Sequence, residues 1–131
     1  MKGFSDNIEK LTIENKNFRQ VLYTAKHSQL VLMSLAPREE IGEEVHSGDQ
    51  FFRIEIGVGK MVIDNHEYQV TDGSAVIVPA GAKHNLINVS DCDDLKLYTI
   101  YSPAHHKDKV VHQTRDQAQK DKEEFDGKTT E

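Results

Sequence analysis

The stretch Gly73-Ser74-Ala75-Val76-Ile77-Val78-Pro79-Ala80-Gly81-Ala82-Lys83-His84-Asn85-Leu86-Ile87-Asn88 decides how this chain is read. Ala75 to Val78 is a short apolar run of the kind buried strands use, entered through the turn pair Asp72-Gly73. Pro79 fixes one backbone angle and Gly81 frees another, so the run ends there and a new strand begins at Lys83. Side chains two apart on a strand share a face, which sends His84, Leu86 and Asn88 the same way.

Working outward, similar runs recur between turn clusters: Gln20 to Thr24, Gln29 to Leu35, Phe51 to Ile56, Lys60 to Ile63, Tyr68 to Val70 and Leu95 to Tyr101. Many short strands at such spacing predict an antiparallel sandwich or barrel. Asp64-Asn65-His66-Glu67 reads as a hairpin turn between two of them. In the run from Gln50 to Ile56, strand parity puts Gln50 on the inward face with Phe52, Ile54 and Ile56, and Arg53 and Glu55 on the other with Phe51. An inward amide needs a partner or a metal.

Composition limits the function classes. With 131 residues the chain has room for one compact domain. A net charge of -6 argues against a nucleic-acid footprint and against binding an anionic membrane surface. No apolar run approaches the roughly 20 residues a spanning helix needs. The single cysteine, Cys92, has no partner for an internal disulfide and lies in a polar turn between Asp91 and Asp93. The Met1 end lacks the layout of a secretion signal, so a cytoplasmic location is expected.

The spacing Gly73-x5-Pro79-x-Gly81-x2-His84-x3-Asn88 resembles the second signature motif of the cupin superfamily at every fixed position. Upstream, Glu44-x-His46-x3-Gln50-x6-Gly57 is similar to the first motif in altered form. Glu44 stands where the family has its first histidine, Gln50 where it has its glutamate, and Arg38 where it has its leading glycine. Within the superfamily the chain looks most like small single-domain cupins labelled mannose-6-phosphate-isomerase-like. The resemblance implies an all-β double-stranded β-helix, a jelly-roll barrel, over residues 30–103. Residues 1–29 are expected to form an N-terminal strand or arm region, whose first dozen or so residues form a strand that pairs with a neighbouring subunit. Residues 104–131 are expected to form a polar tail with a helix from about Thr114 to Phe125.

The resemblance further implies that Glu44, His46, Gln50 and His84 converge at the barrel mouth and hold a divalent metal, Zn, Fe, Mn, Co or Ni. An alternative at this stage is a barrel without metal, in which Gln50 is a core amide bonded to His46. His105 and His106 read as part of a solvated loop, and His27, His66 and His112 as surface residues. Tyr101 shares its face with Leu95 and Leu97, opposite to Tyr98. An outward Phe51, with the family's habit, makes a homodimer the expectation.

The implied function is a metal-dependent enzyme on a small polar substrate, a sugar or hydroxy-carbonyl compound, of the isomerase or epimerase type with Glu44 moving the proton. A non-haem iron dioxygenase and a non-catalytic ligand-binding barrel are the alternatives. No cluster of Arg or Lys stands beside the motifs to hold a phosphate, and Lys83 points away by parity.

Overall fold

The computed structural model describes residues 1–131. In chain order it contains α1 (Ile8–Glu14), β1 (Arg19–Thr24), β2 (Gln29–Leu35), β3 (Asp49–Ile56), β4 (Gly59–Ile63), β5 (His66–Val70), β6 (Ala75–Val78), β7 (His84–Asn88), β8 (Leu95–Ser102), β9 (Val111–His112) and α2 (Arg115–Lys120). The strands form a six-stranded sheet, ordered β6-β3-β8-β2-β1-β9, and a three-stranded sheet, ordered β5-β4-β7. Every run read as a strand from the sequence is one, and the two sheets with a short C-terminal helix form the expected all-β barrel.

The core lies between the two sheets and is built from alternate residues. On β3 these are Phe52 and Ile54, on β8 Leu95 and Leu97, on β4 Met61 and on β7 Leu86, all essentially inaccessible. β3 and β8 pair so that Gln50 faces Tyr101, Phe52 faces Thr99 and Ile54 faces Leu97. Truncating a buried aromatic such as Phe52 to alanine costs about 3–5 kcal/mol. The alternation fails at Ile56, which is exposed, because the β3–β8 register shifts between Ile54 and Ile56.

Two glycines set backbone approaches that the barrel needs. A Cβ at Gly48 would lie 2.5 Å from the Ser102 carbonyl oxygen, so only glycine lets the chain between His46 and Gln50 press against the end of β8. At Gly57 the backbone has φ +115 and a Cβ would lie 2.8 Å from the Asp94 oxygen.

The hairpin turn is tighter than expected. Asp64 and Asn65 alone form it, with φ 43 and 72, while His66 and Glu67 already pair with Ile63 and Val62. Two consecutive positive φ values match the strand twist, and Asp and Asn tolerate them.

The termini correct two further expectations. Residues 8–14 are helical and contain no strand: Asn7 caps them by accepting from the Lys10 N–H at 3.0 Å. This helix packs on the outer face of the large sheet against β8, β3 and β2. The C-terminal helix is shorter than expected, capped by Thr114 and ended at Asp121. Beyond it the chain is extended, because the carboxylates of Asp121 and Glu123 are tied to His112 and His106. No helix is long and apolar enough to cross a membrane.

Candidate metal centre

Residues 39–46 lie along the free edge of β7 as a broken strand. Glu44 and His84 exchange both backbone hydrogen bonds, at 2.9 and 3.0 Å, and the Gly81 N–H donates to the His46 carbonyl at 2.9 Å. Directly opposed residues in an antiparallel pair share a face. Glu44 and His84 therefore point inward together, and parity carries His46 to the same side. β3 supplies Gln50 from across the barrel.

The donor atoms of Glu44, His46 and His84 lie within 4.8 Å of one another, a group able to hold a metal ion. Gln50 Oε1 lies 3.1 Å from His84 Nε2. The orientation of Gln50 is fixed behind it: its Nε2 donates to Thr99 Oγ1 at 2.9 Å, and that hydroxyl donates to the Phe51 carbonyl at 2.8 Å. The tautomer of His84 is fixed as well, because its Nδ1 donates to the Ala82 carbonyl at 3.0 Å.

These constraints have one outcome. Neutral His84 presents the lone pair of Nε2 to the lone pair of Gln50 Oε1, two acceptors face to face in a buried site. Rotating the Gln50 amide sets its oxygen against a hydroxyl whose hydrogen is already given to Phe51. A cation that receives both lone pairs satisfies the pair. His46 adds to this: its Nε2 is buried with no hydrogen-bond partner. It lies 2.7 Å from Glu44 Oε2, but the two are in ion contact without the alignment of a hydrogen bond. The residues present fit a metal ion.

The electrostatics agree with a neutral imidazole beside a carboxylate. Burial pushes the His84 pKa down, reinforced by His46 and only partly offset by Ala82 and Glu44. Burial raises the Glu44 carboxyl, but His46, with Arg19 and His105 behind it, outweighs this and holds it below its ordinary value.

Around the cluster stand groups that sequence reasoning placed elsewhere. His106 is buried, not in a solvated loop: Nδ1 donates to Glu123 Oε1 at 2.6 Å and Nε2 faces the Tyr101 hydroxyl at 3.3 Å. His105 is accessible, but its ring lies 4.3 Å from His46 and stacks at 5.3 Å on Tyr101. Burial, then the neighbouring His106 and His46, lower its pKa to about 4. His112 is buried against Arg19 and Asp121 and is not a surface residue. Tyr101 faces inward with Leu95 and Leu97 as expected, and burial raises its pKa. His27 and His66 are exposed, as is Cys92.

A cavity of about 530 Å³ opens beside the cluster, with Glu44, His105, Arg19 and Arg115 in its wall. Arg19 and Arg115 were missed because they lie outside both motifs. The one available signal was the inward parity of Arg19 with Val21 at the start of β1.

The Cupin_2 family, described as a cupin domain, matches residues 31–101. YrkC of Bacillus subtilis is 45% identical over 121 residues, which cover 87% of this chain and 64% of YrkC. L612 of Acanthamoeba polyphaga mimivirus is 44% identical over 104 residues, covering 76% of this chain and 65% of that protein. The chain thus spans just under two thirds of the length of these relatives. The crystal structure of BH2720 from Bacillus halodurans superposes with a TM-score of 0.88 at 39% identity, covering 92% of this chain and 96% of that one.

Proposed function

The chain belongs to the Cupin_2 family, and from that premise we propose a metal-dependent enzyme that rearranges a small polar hydroxy-carbonyl substrate, as an isomerase or epimerase does. The observation that carries the reading is the opposition of Gln50 Oε1 and His84 Nε2 beside a buried His46 Nε2 that is in ion contact with Glu44 but makes no hydrogen bond. Glu44, His46, Gln50 and His84 would hold the ion, a mixed N/O set suited to Zn, Fe, Mn, Co or Ni. A bound divalent ion supplies Lewis acidity to a carbonyl or hydroxyl oxygen.

The remaining chemistry belongs to the protein. Glu44 stands in the cavity wall as a carboxylate, with its pKa held down, and is the base for a proton on the carbon next to the carbonyl. Returning that proton to the former carbonyl carbon, while the hydroxyl proton passes to the former carbonyl oxygen, completes an isomerisation without any other reactant. Tyr101 and His105 pack against His46 and wall the cluster on one side.

Elemental analysis of protein purified without chelator tests the reading. About one ion per chain, lost in His46→Ala and His84→Ala, is the expected result. Protein that holds no ion and takes up none on loading would refute it and leave a ligand-binding barrel. Oxygen uptake by the iron-loaded protein would replace isomerisation with oxygenase chemistry. Sizing in solution checks the expected homodimer.

A further inference from the structure

The cavity beside the cluster has in its wall a buried cation, Arg19, that makes no direct ion pair within the protein. Arg19 is 6% exposed, and its one hydrogen bond runs from NH1 to His112 Nδ1 at 3.2 Å. Its Nε is buried with no partner, and no carboxylate lies within ion-pair distance of the guanidinium. Burying a charge in this state is expensive unless something else pairs with it.

The arrangement is braced. His112 Nε2 donates to Asp121 Oδ2 at 2.9 Å, which leaves Nδ1 as an acceptor for Arg19. The guanidinium packs over the Phe18 ring, 5.4 Å from its centre. Of the acids in the same wall, Asp121 is on His112, Glu123 is on His106 and on the Lys107 N–H at 2.8 Å, Glu44 is in ion contact with His46 and Glu43 lies 3.8 Å from Lys83 Nζ; none of these, nor Glu40, comes within ion-pair distance of Arg19. Arg115 adds a second guanidinium to the wall, again with a buried, partnerless Nε.

A guanidinium held in a cavity wall by His112 and Phe18 matches the plane and charge of a carboxylate, and Glu44 lies in the same wall. We infer that the cavity takes a small organic acid, its carboxylate gripped by Arg19 and its adjacent hydroxyl or carbonyl oxygen directed to the Glu44–His46–His84 cluster. Of the substrates open to this barrel, the inference selects hydroxy and keto acids over neutral sugars. It rests on the metal reading for the inner end of the ligand only; the grip of Arg19 stands without it.

The test is calorimetric titration with lactate and pyruvate, beside their neutral counterparts propane-1,2-diol and hydroxyacetone. Metal-loaded and chelator-treated protein are both used, and the metal content of each sample is measured. The acids should bind both forms about ten- to a hundred-fold more tightly than the neutral compounds, as expected of a charge-assisted bond. Arg19→Gln should remove that preference and Arg19→Lys should restore part of it. Equal affinity for acid and neutral compound in the parent, or a preference that survives Arg19→Gln, overturns the inference. Should Arg19→Gln unfold, the comparison in the parent decides alone. A parent that takes up no metal but still prefers the acids sinks the metal reading and keeps this one; a metal-loaded parent without the preference does the reverse.

Discussion

His84 and Asn88 stand at opposite ends of β7, both buried, both pointing inward and both fixed points of the same motif. Their surroundings differ completely. Asn88 is saturated: the two hydrogens of its Nδ2 are shared among the carbonyls of Leu35, Ala36 and Asp93 at 3.0, 3.1 and 2.8 Å, and its Oδ1 accepts from the Ser90 N–H at 3.0 Å. His84 has one good hydrogen bond, to Ala82, and an acceptor opposite its other nitrogen. The contrast separates two uses of a buried polar residue. A satisfied one locks loops together, and an unsatisfied one converging with others is poised for a ligand.

The sharpest way to break the comparison is to truncate both ends. His84→Ala and His46→Ala should lose the bound metal entirely and keep the barrel, read by elemental analysis and circular dichroism. Unfolding of His84→Ala would make its role structural. Asn88→Ala should do the opposite, lowering stability by about 3 kcal/mol in denaturant melts with metal content unchanged, since one buried carbonyl and two part-buried ones lose their donor.

Gln50→Glu probes the same contrast more gently. A full charge at the atom facing His84 should tighten metal binding by about tenfold in competition with a chelator, and weaker binding would mean that Gln50 does not coordinate.

The smallest effect expected is the pH dependence of the metal-free protein. His84, His105 and His106 all have folded pKa values below 6.5, with burial the first cause. The unfolded chain therefore binds protons first, so stability is full above about pH 6.5 and is lost as pH falls towards 4, where His105 titrates in the fold. Glu123 extends the loss. Burial raises its carboxyl, but the His106 and Lys107 bonds outweigh that and lower it to about 2, so its contribution is present above pH 4.5 and disappears below. Denaturant midpoints that stay flat from pH 7 to 4 would contradict this, and midpoints flattened only by added metal would place the effect at the cluster.

Much of the barrel was legible because its signals are local. Turn residues punctuate the strands, and a period of two assigns Gln50, Phe52 and Ile54 to the core face without knowledge of the neighbouring strand. The same rule oriented His84 and Tyr101 correctly. It failed at Ile56, where a register shift breaks the alternation, and at residues 8–14, where capping by Asn7 and packing on the outer face favour a helix.

The amino-acid sequence by itself determined the first eight strands, the motif pair and the four side chains that converge at the mouth, and β9 went unread. Only the tertiary structure decided what surrounds them. His106 meets Glu123 across 17 residues, and Arg19 meets His112 across 93. Periodicity tells which way a strand residue points, but it carries no information about which distant segment covers it. Closing the mouth with the tail depends on long-range pairings, and these are what turned residues that read as surface histidines into buried partners and left Arg19 in the cavity wall without a direct ion pair.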